Sequence, residues 1–542
     1  MKLILTYFRE AVRKFPRQFL ASMSMIAVMT VLEALTPWGL RIFLDKLTAD
    51  SGYSILIGGI GLFAAYLLVQ VFVNIARFAS LDKFGGRYIE YLSLSLEQAM
   101  AQTTYSEIEK LQPNVIRNVL YTDVLNIFRA IGHCIPSMLG ALAVVCATVG
   151  LGFCYDTRAS AFIFVSASLG LLLSWASRRI VAKYAGQTNA KLKTHDAWCT
   201  QFVEMLPQIQ CDNLLAYYQE KTRNNLRDFI ATSIREDKTI YFWTGLVSGY
   251  HSLFSIALSA LLAIPAAGGS VPNLVFFTLI ANLTMRQAQT LESLFQQCTC
   301  YFVSFTHVEN LRRLPRRAGT KQTDAIRTVD FENVSFTYPG GVQALREVSC
   351  RLEAGDVVHL KGGNGSGKST FVKLLAGLYM PDQGRILLNG EPMEGFSQQT
   401  LNRKILYISQ DEKLLNETFH KYLEVVTGRS IPQEEYHRLI ELVGLPADER
   451  EISENGNSLS VGQRKKLLMV KALLNQDEAS VVILDEVTAG LDRETTALFH
   501  TWLAQAAERR DKIILIIDHT MPETTVKNTC LVFQNGEVKC GP

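Results

Sequence analysis

Six apolar stretches dominate the first 305 residues, at Phe19–Leu44, Ile55–Ser80, Cys134–Tyr155, Ala159–Ala176, Ile240–Ala267 and Val275–Leu294. Each is close to the ~20 residues that a helix needs to cross the hydrocarbon core of a bilayer. In lipid every backbone N–H and C=O must find its partner inside the protein, so runs of this kind fold as helices. Short links join spans one to two, three to four (Asp156-Thr-Arg158) and five to six (Ala266 to Pro272). The other two connections, residues 81–130 and 178–238, are long and polar and carry most of the Lys and Arg. Positive residues mark the cytoplasmic side, so both long loops and both termini are expected inside. Lys2, Arg9, Arg13, Lys14 and Arg17 precede the first run, which is too long for a cleaved signal and reads as a retained span. Only about eighteen residues precede it, so leader-peptide cleavage by this chain is not expected.

Composition adds exclusions. Lys plus Arg (54) against Asp plus Glu (51) leaves a net charge of +3, which gives no reason to expect a nucleic-acid partner. Ten cysteines are scattered without a C-x-x-C pair, so they read as small apolar fillers rather than a zinc site or a disulfide framework.

The long loops give helices something to push against. Thr122 or Asp123 is expected to cap a turn in the first, within Asn118–Asn126, and the second is expected to turn around Cys211-Asp-Asn213. Polar side chains within spans are costly and face a cavity or one another. Glu33, Arg41, Asn74, Arg77, His251, Arg286 and Glu292 are the candidates, with Glu33, His251 and Arg286 deepest. They line a translocation path, pair between helices, or sit at the interface. Residues 312–327, rich in Arg, Lys, Gly and Thr, read as a linker.

From Val329 short β-branched runs alternate with amphipathic helices, the pattern of an α/β domain. Its focus is Gly362, Gly363, Asn364, Gly365, Ser366, Gly367, Lys368, Ser369 and Thr370, which contains G-x-x-x-x-G-K-S between a strand (Val357–Leu360) and a helix (from Phe371). Glycines let backbone N–H groups curl around an anion, Lys368 reaches the β- and γ-phosphates, and the Ser369 hydroxyl ligates Mg²⁺. Tyr338 closes the run Phe331–Tyr338, read as an antiparallel edge strand, and offers a flat ring for adenine. Gln410 ends the strand Ile405–Ser409, where it can complete Mg²⁺ coordination and order water. Ser460 and Gln463 have capping-box spacing, so this helix start, with Gly462, is a second phosphate-binding end. One chain with two such ends suggests two chains exchanging them across two nucleotides. Asp485 and Glu486 end the apolar strand Val481–Leu484; the first suits Mg²⁺ and the second polarises a hydrolytic water. Asp492 follows in a turn, and Ile513–Ile517 leads to His519, placed to contact the γ-phosphate.

In this order and spacing the motifs resemble the ATP-binding cassette exporters, half-transporters with six spans and one nucleotide domain, over essentially the whole chain. The matching elements are the Walker A loop Gly362–Thr370, the Q-loop Gln410, the signature Leu459–Gln463, Walker B Val481–Glu486, the D-loop Ala489–Asp492 and the switch His519. Glu454-Asn-Gly456 resembles the exporter loop that senses the docking helices. Val461 stands where that signature has glycine, and its β-branch is expected to restrict the helix start and slow hydrolysis. The form L-S-x-G-Q-R-K-K-L is similar to exporters of cyclic or modified peptides and siderophore precursors.

The resemblance implies a multidomain chain: an all-α six-helix transmembrane domain (1–311), a linker (312–327) and an α/β P-loop nucleotide-binding domain (328–542). It further implies ATP and Mg²⁺ as cofactors, a second copy of the chain (or a related chain) and the lipid bilayer as partners, and a plasma (inner) membrane location. The expected activity is ATP-driven export of a peptide-like or other small natural product by alternating access. Import of a metal chelate or siderophore, lipid flipping and a cargo-less ATPase sensor are the alternatives.

Overall fold

The computed structural model describes residues 2–49, 53–111, 113–263, 271–317, 319–409, 412–446, 451–453, 456, 458–488, 490–517 and 528–541. They divide into two compact units, residues 1–98 with 112–313, and residues 99–111 with 314–542.

The first unit is helical. It contains α1 (Lys2–Lys14), α2 (Pro16–Ala49), α3 (Tyr53–Ala101, whose last turn passes to the second unit) and, beyond α4 of that unit, α5 (Pro113–Asn118). Two π-helical segments, Val119–Asp123 and Arg129–Cys134, flank α6 (Val124–Phe128) and lead into α7 (Ile135–Phe153). Then come α8 (Thr157–Glu204), α9 (Leu206–Cys211), α10 (Leu215–Ala263) and α11 (Val271–Arg312). Among the described residues, Pro16–Leu47, Leu56–Ala101 and Val115–Phe153 are long and apolar enough to cross a membrane. Spans four to six of the sequence reading fall in α8, α10 and α11, with residues 264–267 of the fifth outside the described residues.

Hydroxyls tie these helices where apolar packing against lipid gives little net drive. Ser22 donates to the Ser80 carbonyl at 3.0 Å and Thr36 meets the Tyr66 hydroxyl at 2.6 Å, which aligns α2 antiparallel to α3. Thr148 of α7 meets Thr284 of α11 at 3.2 Å, and Ser166 of α8 meets Tyr250 of α10 at 2.8 Å. The outer faces stay apolar, with Leu62 76%, Phe72 70% and Leu253 71% exposed, as lipid contact requires. Asp156 caps α8 by accepting from the Arg158 and Ala159 amides, so the three-residue link is a tight turn.

The second long loop turns where expected: α9 ends at Cys211, Asn213 takes φ +55°, and α10 begins at Leu215. The first does not. Asn118–Asn126 runs on as continuous helix, and Asp123 is a buried side chain bonded to His307 at 2.8 Å rather than a cap. The wider, underwound π-segments carry the helix through without a stop, and the break falls earlier, between α3 and α5.

That break belongs to the second unit. Residues 99–111 carry α4 (Tyr105–Glu109) and pack with the nucleotide domain. The domain has β1 (Thr328–Thr337), β2 (Gln343–Glu353), β3 (Val357–Gly362), α12 (Lys368–Leu375), β4 (Gln383–Leu388) and β5 (Glu391–Pro392). There follow α13 (Gln398–Lys404), β6 (Ile405–Ile408), α14 (Phe419–Thr427), α15 (Gln433–Leu442) and α16 (Val461–Asn475). It ends with β7 (Val481–Asp485), α17 (Arg493–Glu508), β8 (Ile513–Ile517), β9 (Asn528–Gln534) and β10 (Glu537–Gly541). One sheet has the order β2-β1-β4-β5, the other β10-β9-β3-β8-β7-β6. Every residue of β7 and β8 is buried, which is why both read as unbroken apolar runs. β1 is not an edge strand: it pairs with β2 on one side and β4 on the other, and its alternation reflects one face on the core. Residues 314–317 and 319–327 belong to this unit, with the Arg317 amide on the Gln102 carbonyl at 2.9 Å and Ile326 fully buried.

Candidate nucleotide-binding and hydrolysis site

Strands β3, β8, β7 and β6 are parallel neighbours, with Asp485 opposite Ile517 and Leu484 opposite Ile408. Their carboxyl ends therefore deliver Gly362, Ile517, Asp485 and Ile408 to one rim, where ligands of open α/β sheets bind. Gln410, Asp518 and His519, which the sequence places just past β6 and β8, lie outside the described residues, as do Glu454, Asn455 and Ala489.

The loop after β3 is shaped by its glycines. Gly367 takes φ +110°, and a Cβ there would stand 2.7 Å from the Ala344 carbonyl oxygen. Around Gly363 and Gly365 a Cβ would meet nothing within 4 Å, so the concave side is open. Lys368 is buried and folds its ammonium onto the Gly362 and Gly363 carbonyls at 2.7 and 2.9 Å. The Ser366 hydroxyl is buried without a hydrogen-bond partner among the described residues. An open backbone cradle, a cation at its back and an unsatisfied hydroxyl suit a polyphosphate. Gly367 caps α12, and Phe371 stacks on Phe331 of β1 at 4.2 Å, which fixes the loop against the sheet.

Tyr338 stands just past β1, half-buried, its hydroxyl 3.1 Å from Thr370 Oγ1. Its ring packs edge-on against Phe336 and Tyr379, centroids 5.1 and 5.5 Å away. Tyr379 in turn donates to Glu109 and packs edge-on against Tyr105 of α4.

Asp485 is buried, and burial holds its carboxyl above the usual carboxylate range against the opposing Tyr407 hydroxyl, 3.3 Å from Oδ2. Glu486 has φ +52°, a conformation that costs a non-glycine residue about 1–3 kcal/mol and needs its surroundings to hold it. Its amide donates to the Ile517 carbonyl at 2.8 Å and its carbonyl accepts from Lys465 at 2.6 Å.

Ser460 and Gln463 form the reciprocal capping box of α16, at 3.1 and 3.2 Å. Val461 occupies the first helical position with its side chain 60% exposed. It is helical, so its β-branch is accommodated at the helix start. The backbone of α16 at Gly462 lies close to the Gly490 carbonyl, 3.4 Å from an added Cβ. Lys466 pairs with Asp492 at 2.6 Å, and this contact, with the Thr495 amide on the same carboxylate, holds Asp492 below its ordinary range. Lys465, Lys466, Tyr379 and Tyr407 are not among the residues the sequence singles out; for the two lysines the signal is the adjacent Lys pair just after the signature.

In the first unit the polar span residues partly converge. Gln287 donates to Glu33 at 2.8 Å and Arg77 to Asn74 at 2.8 Å. Arg41 lies instead over the Tyr155 ring at 4.2 Å, and Gln296 reaches Glu292 at 3.4 Å. Arg286 is exposed on α11; His251 lies in α10 with its side chain outside the description.

The family model for the ABC transporter transmembrane region matches residues 19–288, and the ABC transporter family model matches residues 345–489. The chain belongs to the ABC transporters. An ATP-dependent lipid A-core flippase of Pseudoalteromonas atlantica is 26% identical over 88% of this transporter and 84% of its own length. A Beta-(1→2)glucan export ATP-binding/permease protein of Rhizobium etli is 26% identical over 71% of this chain and 67% of its own. Among solved structures, a bacterial Atm1-family ABC exporter with ATP bound superposes with TM-score 0.84 at 16% identity, covering 97% and 94% of the two chains. This ABC transporter thus has a helical membrane domain followed by an ATP-binding domain, spans the membrane several times, and couples ATP hydrolysis to transport.

Proposed function

We propose that this ABC transporter is an exporter acting as a dimer, in which ATP lies between the phosphate loop of one copy and the α16 start of the other. The observation carrying this reading is the pair of complementary ends within one chain: an open cradle at Gly363–Gly365 and a free, capped helix start at Ser460. Gly362 to Thr370 hold the phosphates, Tyr338 offers its ring to the adenine, and Gln410, Glu486 and His519 surround the attacking water. Ser369, Gln410 and Asp485 would hold Mg²⁺, whose charge neutralises the β- and γ-phosphate oxygens; the buried carboxyl of Asp485 at the loop's rim suits that ion. Ser460, Gly462, Gln463 and Asp492 close the site from the second copy. Closure draws the membrane helices outward-open, and hydrolysis at Glu486 resets them. Residues 1–311 act as the transmembrane domain, 312–327 as the connection and 328–542 as the motor, with the motor and both termini on the cytoplasmic side of the inner membrane.

The cargo we infer is a peptide-like or other small natural product leaving the cytoplasm. Movement of a lipid-linked amphiphile between leaflets is the second reading, favoured by the 26% identical lipid A-core flippase. Substrate-stimulated ATPase in nanodiscs tests both, with short peptides and with lipid A as probes, in wild type and Glu486→Gln. Hydrolysis should collapse in the variant while ATP binding persists. Turnover retained by Glu486→Gln would sink the assigned chemistry; stimulation by lipid A alone would select the second cargo.

A further inference from the structure

We infer that Lys465 is a positioning residue for the hydrolytic carboxylate, locking the backbone of Glu486 from the signature helix. The inference rests on the reading of Glu486 given above. Lys465 is the fifth residue of α16 and is only 8% exposed, an unusual place for an ammonium unless it meets an acceptor. It meets the Glu486 main-chain carbonyl at 2.6 Å, a short charge-assisted bond. Glu486 needs holding because its φ of +52° lies in the left-handed region, which L side chains rarely adopt. The Ile517 carbonyl anchors its amide from β8, and Lys465 anchors its carbonyl from the other side. With the peptide groups on both sides fixed, the backbone from which the Glu486 side chain leaves β7 is held in one conformation.

The same helix start makes two further contacts to this segment. Lys466 pairs with Asp492 at 2.6 Å, and the α16 backbone at Gly462 lies against the Gly490 carbonyl. Glu486, Gly490 and Asp492 are thus each met by the first turns of α16, the element whose exposed start faces the second copy's nucleotide in the reading above. A shift of α16 on closure would be passed to Glu486 of the same chain through Lys465. This makes Lys465 a determinant of the rate of hydrolysis rather than of ATP affinity.

Steady-state ATPase of the full-length transporter in nanodiscs tests this, with ATP affinity and thermal midpoint measured alongside. Lys465→Met, which keeps the stem and removes the donor, should lower kcat by about tenfold or more while the KM for ATP stays within about twofold. Lys465→Arg, which restores a charged donor, should recover part of that loss. In a Glu486→Gln background Lys465→Met should cause no additional fall, because both act on one step. A kcat within about threefold of wild type, or a fall that follows ATP affinity or the thermal midpoint across the Met and Arg variants, overturns the proposal. If Glu486→Gln itself turns over normally, the reading of Glu486 fails; if it is dead while Lys465→Met is normal, only the role of Lys465 fails.

Discussion

The hydroxyl of Tyr379 donates to the carboxylate of Glu109 at 2.8 Å, joining a nucleotide-domain side chain that is 2% exposed to the short helix α4. That ring also packs edge-on against Tyr338, whose hydroxyl meets Thr370 at the end of the phosphate loop. Tyr379→Phe keeps the packing and deletes one charge-assisted bond, at a cost of about 1–2 kcal/mol. We expect ATP affinity to stay near wild type while substrate stimulation of the ATPase falls several-fold, read by titrating cargo at saturating ATP. Unchanged stimulation would reduce the contact to local packing.

The Asp485 carboxyl is pushed up by burial and pulled down by the Tyr407 hydroxyl. Removing that donor in Tyr407→Phe leaves the burial effect less opposed, so the carboxyl stays protonated to higher pH. A protonated Asp485 cannot serve Mg²⁺. The acid limb of kcat/KM for Mg-ATP should therefore move to higher pH in the variant, with the alkaline side unchanged. A shift in the opposite direction would remove Asp485 from the metal's ligands.

At Gly367 a side chain meets φ +110°, the Leu345 side chain at 2.8 Å and the Ala344 carbonyl oxygen at 2.7 Å, and that carbonyl is backbone that cannot swing aside. Gly367→Ala should cost about 2–4 kcal/mol, seen in the thermal midpoint, and abolish binding of a fluorescent ATP analogue. Gly363→Ala, where the added Cβ meets nothing within 4 Å, should leave the midpoint unchanged and weaken only the nucleotide.

Ser460→Ala removes the acceptor of the capping box, worth about 1 kcal/mol to the helix. Hydrolysis should fall much further than stability does, because the same residue closes the second copy's site in the reading above. Val461→Gly bares the helix start whose side chain is 60% exposed, and we expect faster turnover with a midpoint slightly lowered. Equal loss of rate and midpoint in Ser460→Ala would argue for capping alone.

Much of the site was legible because its chemistry depends on short, contiguous motifs. The glycine spacing of Gly362–Gly367, the capping pair Ser460 and Gln463 and the apolar strand running into Asp485 each encode a local backbone requirement that one stretch of sequence states by itself. The apolar runs were equally direct, since a bilayer leaves the backbone only the helix. The turn expected at Asp123 failed because a short polar residue there signals a cap only if the helix stops, and burial against His307 let it continue. β1 was misread as an edge because alternation reports one buried face and says nothing of how many neighbours bond to a strand.

The sequence by itself determined the materials: which segments must be helices in lipid, which loop must curl around phosphate, and in what order the motor follows the membrane part. Only tertiary structure decided that Lys465 of one motif grips Glu486 of another, 21 residues on, and that Tyr379 stands 270 residues from the glutamate it bonds. Those pairs carry no local signature, because a hydrogen bond between distant residues depends on which elements the sheet and core bring side by side.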